Sequence, residues 1–216
     1  MSYLKQLCFL VIATLVIGCS DDDGLNVPPT TGEEVTYDLA ERSNSGVSGS
    51  VTIQELNDGT ARLSINVSGT PQDGMHPAHI HANTAAEGGN IIISLNNVNG
   101  STGTSETIIA SDDNGDAVGY QDLLEIDGYV NVHLSADDIG TIVAQGDIGQ
   151  NALTGESKTY ELGEKSDPSI SGTVMFEERM NGEALATISL DGTPDGGTHP
   201  AHIHMNTAVE SGGIIY

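Results

Sequence analysis

Thiols and positive charge are both scarce in this chain. Of its 216 residues only two are cysteine, Cys8 and Cys19, both near the N-terminus. Downstream of Cys19 no disulfide can form within the chain, so the fold must be held by core packing, by bound ligands or by both. Lys and Arg number six against 31 Asp and Glu, giving a formal net charge of −25. A polyanion without basic patches has no surface on which to release nucleic-acid counterions, and it is repelled by anionic headgroups. Nucleic acid is therefore not an expected partner. Divalent cations and cationic partners remain compatible, and the same acidity also serves plain solubility. No nucleophile motif, phosphate-binding glycine loop or distinct carboxylate pair stands out, so the chain is not read as an enzyme.

The N-terminus carries one positive charge, Lys5, followed by an apolar run over 7–17 that is too short to span a membrane as a mature helix. It reads as a secretory signal. Leu15-Val16-Ile17-Gly18-Cys19 resembles the lipobox of bacterial lipoproteins. Residues 1–19 are accordingly expected to be a lipoprotein signal peptide, with lipid on Cys19 supplying a membrane partner. A plain signal peptide with a chance cysteine is the alternative. Ser20-Asp21-Asp22-Asp23 resembles the acidic export signal that takes such lipoproteins to the outer face of the outer membrane, and it would equally serve as a solvated tether. Residues 20–34, with Pro28-Pro29 and Thr30-Thr31-Gly32, are expected to be an acidic flexible linker. The expected location is the cell envelope, lipid-anchored at the outer membrane and surface-exposed.

The rest of the chain is duplicated. Thr36-Tyr37-Asp38-Leu39 returns as Thr159-Tyr160-Glu161-Leu162, Ser48-Gly49 as Ser171-Gly172, and Gly69-Thr70-Pro71 as Gly192-Thr193-Pro194, always 123 residues later. Asn83-Thr84-Ala85 likewise returns as Asn206-Thr207-Ala208. A repeat of roughly 120 residues is a domain rather than a solenoid unit. Residues 35–158 form the first copy and 159–216 the first half of a second, which stops at Tyr216, opposite Ile93. The chain is therefore expected to be a fragment of a longer protein, unless the half-domain is completed by another chain.

Within the first copy the periodicity is that of strands. Ala61, Leu63, Ile65 and Val67 alternate with Arg62, Ser64, Asn66 and Ser68. Further strands are expected over 47–56, 91–95, 106–110, 128–134 and 141–148, separated by Gly, Asn and Asp clusters. One helical turn is expected over 120–126. The expected fold is all-β: an antiparallel Greek-key sandwich or barrel, duplicated, with the second copy truncated.

Six of the seven histidines lie in two copies of one pattern, His76-Pro77-Ala78-His79-Ile80-His81 and His199-Pro200-Ala201-His202-Ile203-His204. The seventh is His133, in Tyr129-Val130-Asn131-Val132-His133-Leu134. On a strand, His79 and His81 share a face and can reach one metal ion. Tyr129, Asn131 and His133 share a face of the later strand, so His133 is a candidate third ligand. His76, beyond the Pro77 bend, is a fourth ligand or an orienting group. His199, His202 and His204 are the second-copy equivalents. Imidazole suits zinc, copper or nickel. The competing reading is that the histidines hydrogen-bond neighbouring loops and hold the Pro77 bend. Asp112, Asn114 and Asp116 have the spacing of a calcium loop, but Gly115 is out of place and Leu123 stands where a glutamate is needed, so a turn is expected.

Two resemblances follow from these motifs. Ala78-His79-Ile80-His81-Ala82-Asn83-Thr84-Ala85, then the apolar Ile91-Ile92-Ile93 and the strand from Tyr129 to His133, resemble the chordin-type, or CHRD, domain. Gly140-Thr141-Ile142-Val143-Ala144-Gln145-Gly146 departs from that family's closing segment. The resemblance implies an extracellular β domain, often repeated, of mostly unassigned biochemical role; the chain itself is read as a non-catalytic binding or surface-display module toward an extracellular protein or glycan. Gly74-Met75-His76-Pro77-Ala78-His79-Ile80-His81 is also similar to the copper-ligand strand of copper/zinc superoxide dismutases. That family's bridging histidine, zinc-loop histidines and disulfide have no counterparts here, and a negative surface repels an anionic substrate. This resemblance implies a zinc- or copper-binding envelope protein of dismutase-like architecture without the dismutase chemistry.

Overall fold

Period-two patterning becomes a strand wherever a glycine or Asx turn ends it. In the computed structural model, which describes residues 27–166 and 169–216, these strands are β1 (Thr30–Glu41), β2 (Ser48–Leu56), β3 (Ala61–Ser68) and β4 (Met75–Ala82). They continue as β5 (Ile91–Asn99), β6 (Thr104–Ile109), β7 (Asp127–His133) and β8 (Ile142–Gly149). Among the described residues the one helix, α1 (Tyr120–Leu124), sits between β6 and β7, where the helical turn was expected. The expected signal peptide with Cys19, and residues 20–26 of the expected linker, lie outside the described residues.

Strands β1 to β8 close into an antiparallel barrel in the order β1-β2-β3-β6-β5-β4-β7-β8. β4, β5 and β6 follow one another, and β7 returns beside β4, which is a Greek key. Closure is thin at two places: β5 meets β6 through the pair Asn99↔Thr104, and β1 meets β8 through Ala40↔Gln145 and Glu41↔Ala144. The barrel is thus two four-stranded sheets joined at narrow seams, and sandwich and barrel describe the same object. Its interior is filled by Val51, Ile53, Leu63, Ile65, Ile80, Val130, Val132 and Ile148, none more than 1% exposed. Each such side chain contributes roughly 1.5–3 kcal/mol on burial. Gly69, just after β3, adopts φ 83°, and a Cβ there would collide with the Gly46 carbonyl. Its repeat partner Gly192 has φ 77° and the same restriction against the Ser169 carbonyl, so the duplicated glycine marks a duplicated turn.

The first strand begins earlier than the sequence pattern suggests. β1 starts at Thr30, inside the stretch read as a flexible linker. Its outer half is pinned to β2, with Thr31 Oγ1 donating to Glu55 Oε2 at 2.8 Å and Gln54 Nε2 to Glu34 Oε2 at 2.8 Å. Exposed, charged residues on a strand margin carry no apolar alternation, so composition alone reads them as tether.

β9 (Leu153–Leu162), β10 (Ser171–Arg179) and β11 (Ala184–Asp191) form a separate sheet, ordered β11-β10-β9, whose members match β1, β2 and β3 across the 123-residue offset. β9 likewise starts before the expected copy boundary at 159. Beyond β11 the histidine segment forms no strand among the described residues, only an isolated bridge His204↔Ile214. Equivalent positions therefore have unequal surroundings: Ile65 is 1% exposed and Ile188 is 44% exposed.

That inequality sets an expectation for stability. Ile65→Ala should cost about 2–5 kcal/mol, whereas Ile188→Ala should stay within about 0.5 kcal/mol, both read as urea midpoints at constant slope. Equal costs would mean that the outer face of the second sheet is covered in solution.

Candidate metal centre

The site is built by two strands that each divide their side chains between core and outer face. On β4, Ala78 and Ile80 point into the barrel, both 0% exposed, while His79 and His81 project outward. On β7, Val130 and Val132 point inward and Tyr129, Asn131 and His133 outward. The two strands pair antiparallel with Ala78↔Val132, His79↔Asn131 and His81↔Tyr129. This register sets His133 diagonally against His79. The ring centroids of His79 and His133 are 5.1 Å apart, those of His79 and His81 5.8 Å, and those of His81 and His133 6.1 Å. One nitrogen from each ring lies within 4.8 Å of the other two. Loops roof this outer face, leaving His133 at 5% exposure, His81 at the edge of burial and His79 partly open.

His76 does not join the cluster. The β4–β5 pairing shifts between His76 and Ala78, where Pro77 has no N–H to offer the ladder. His76 is 1% exposed, with Nδ1 at 2.8 Å from the Leu134 carbonyl and Nε2 at 3.4 Å from that of Pro71. Its ring braces the start of β4 against the segment after β7. The loop-bracing reading therefore describes His76, and the convergent reading describes the other three.

The cluster is polar and incompletely satisfied. Both ring nitrogens of His133 are buried with the Ile139 backbone as the group that acts on them, and Nδ1 of His79 and Oδ1 of Asn131 are buried without a hydrogen-bond partner. Each such group carries a desolvation cost of about 1–3 kcal/mol, which native structures rarely leave uncompensated. His81 differs: its Nδ1 bonds the Gly89 carbonyl at 2.9 Å, which leaves the lone pair on Nε2. The neighbour of that Nε2 is the Asn131 amide at 3.5 Å, a weak contact. Tyr129 stacks on His81, centroids 5.0 Å apart at 19°, and its hydroxyl accepts the Gly89 N–H at 3.0 Å. Gly89 is required, because a Cβ there would collide with the Ala82 carbonyl. The loop over 83–90 thus fixes one imidazole through its backbone, the outer-shell arrangement that metal-binding histidines use.

Burial favours the uncharged form of two of the rings, those of His79 and His133. Burial, then the His133 and His81 rings, hold the proton affinity of His79 below the ordinary histidine value, outweighing the opposite pull of Asp113. Asp113 is held by Ser94, whose backbone N–H and Oγ each bond it at 2.8 Å, and Ser94 is the β5 partner of His79. His133 is likewise depressed, by burial above all, with His81 adding to the effect and the Ile139 backbone opposing it. Three imidazoles, each with a ring nitrogen close to the other two, fit a borderline metal such as zinc or copper. His79, His81 and His133 would hold it.

The second copy reproduces half of this arrangement. His202 and His204 lie 6.1 Å apart at 83°, and His204 Nδ1 bonds the Gly212 carbonyl at 2.8 Å. His199 approaches Gly197 as His76 approaches Gly74. All three are exposed, and among the described residues no third imidazole reaches the pair. Asp112 closes a turn by accepting the Asn114 and Asp116 N–H groups, each at 2.9 Å, as expected from the misplaced Gly115. Sequence reasoning placed Tyr129 and Asn131 on the His133 face by alternation but assigned them no role. Nothing in the pattern pointed to the Gly89 carbonyl.

Residues 28–145, over half of the chain, match the CHRD domain family. No curated protein matches the chain. Among solved structures, superoxide dismutase 5 of Candida albicans aligns in its copper(II) form at 16% identity, TM-score 0.34, over 57% of this chain and 94% of that one. A single-substitution variant of the same enzyme aligns at 20% identity, TM-score 0.38, over 54% and 90%.

Depressed proton affinities make the metal-free fold acid-sensitive. The unfolded chain takes up protons on His79 and His133 near the ordinary value of about 6.5, before the folded form does. Their contribution to stability is therefore complete above that pH and is lost as pH falls toward the folded values. Urea midpoints should drop between about pH 7 and 5. The drop should shrink in a His79→Gln, His133→Gln variant, and an unchanged profile would show that the rings titrate alike in both states.

Proposed function

The chain belongs to the CHRD domain family, and on that footing we propose that it is an exported, non-catalytic binding module whose ligand is a zinc or copper ion held by His79, His81 and His133. The observation that carries this reading is the convergence of three ring nitrogens, one from each histidine, within 4.8 Å of one another, on strands whose register holds them there. Such an ion, when bound, accepts three imidazole lone pairs and offers remaining coordination positions to an outside ligand. The chain's own residues do the rest. Gly89 holds His81 in one tautomer, Tyr129 orients it, β7 delivers His133, and the partly open His79 gives access. A surface with net charge −25 favours the approach of cations and repels nucleic acid.

The envelope setting belongs to the proposal as well. Lipid on Cys19 would anchor the module in a membrane, with the acidic Ser20-Asp21-Asp22-Asp23 stretch directing it to the outer-membrane surface. There it would meet an extracellular protein or glycan. The lipobox resemblance is what favours this second reading, surface display.

Calorimetric titration with zinc and with copper should give one tight site per chain, lost in a His79→Ala, His81→Ala, His133→Ala variant. Two equal sites would bring His199, His202 and His204 into the count, and weak diffuse uptake alone would leave display as the function. Separately, Cys19→Ser should abolish incorporation of labelled fatty acid and move the protein from the membrane fraction to the soluble one. Retention in the membrane fraction without label would defeat the anchor.

A further inference from the structure

One corner of the second sheet is docked against the outer face of the first barrel by a buried charge. Arg179 ends β10, and its side chain is 3% exposed. Its Nη1 donates to Asp147 Oδ2 at 2.7 Å and to the Asn151 carbonyl at 2.5 Å. A guanidinium withdrawn from water needs such partners. Asp147, on β8, uses its other oxygen to accept the Ala85 N–H at 2.7 Å. Asn151 Nδ2 donates to the Asn83 carbonyl at 2.9 Å. Both bonds land on the loop that ends at Gly89, the backbone group that fixes His81. The first repeat supplies the control: the residue equivalent to Arg179 is Leu56, 1% exposed. The main-chain bond beside it exists in both copies, Asn57 N–H to Pro29 at 2.9 Å and Met180 N–H to Ala152 at 2.9 Å. The arginine appears in the copy that has a barrel in front of it.

We propose that Arg179 is a positioning residue for the imidazole cluster of the preceding repeat, acting through Asp147 and the 83–89 loop on His81. The second repeat thus clamps the first repeat's site. In part this rests on the metal-binding reading, but the orientation of the His81 ring is defined without a metal, so the two can fail separately.

The test compares the full chain with its Arg179→Leu and Arg179→Lys variants. Nitrogen-15 NMR of the metal-free protein reads the His81 tautomer at fixed pH, and calorimetry reads zinc affinity. Arg179→Leu should convert His81 from a single Nδ1–H tautomer to a mixture and weaken zinc about 10–100-fold, the usual effect of losing an outer-shell partner. Arg179→Lys, which keeps the charge opposite Asp147, should restore most of both. If Arg179→Leu does not fold, Asp147→Asn is read in the same way. An unchanged tautomer with unchanged zinc affinity overturns the clamp. A tautomer shift in a chain that binds no zinc supports the clamp and removes the metal reading instead.

Discussion

The ladder between β4 and β7 carries both the core and the site. Its register, Ala78↔Val132 and Ile80↔Val130, seals the barrel interior with four side chains that are 0% exposed. The same register, read on the opposite faces, brings His79, His81 and His133 together. A slip of one residue would exchange the faces, exposing Ile80 and Val130 and burying the imidazoles in hydrocarbon. The apolar core therefore enforces the geometry of the polar cluster, with no disulfide available to the domain.

Much of this was legible in the residues themselves. Alternation in Ala61-Arg62-Leu63-Ser64-Ile65 identified β3, and the spacing of His79 and His81 gave their shared face without any structure. Alternation in the later strand also set His133 apart from Val130 and Val132. What it did not give was pairing: which strand lies beside which is a long-range property, and the placement of His133 opposite β4 depends on a Greek-key return across α1. His76 lies an odd number of positions from His79 and His81, so alternation alone sets it on the other face of β4, where the Leu134 and Pro71 carbonyls engage its ring. β1 was partly hidden because its outer half is charged, and its strand character comes from cross-strand hydrogen bonds rather than from burial.

The duplication is informative because it is uneven. Two copies of nearly the same local sequence occupy different surroundings, so conformations that persist in both are encoded nearby, and those seen once depend on distant partners. The turns at Gly69 and Gly192 belong to the first class, and so does the pairing of β10 with its neighbours. Arg179 in place of Leu56 belongs to neither. Its guanidinium has partners, Asp147 and Asn151, only because the first repeat abuts it.

The loop following each histidine pair belongs to the first class in a more consequential way. Gly88 N–H bonds Thr84 at 2.8 Å and Ala82 N–H bonds Asn90 at 2.9 Å, and the same bonds return as Ser211 to Thr207 at 3.0 Å and Met205 to Gly213 at 3.0 Å. There they stand without a barrel around them. Two of the three imidazoles are thus organised by a contiguous stretch of about ten residues, which closes on the timescale of local loop formation. The third arrives only with the non-local pairing that makes β barrels slow to fold. The histidine pair can therefore take shape before the domain does, and His133 completes the cluster last.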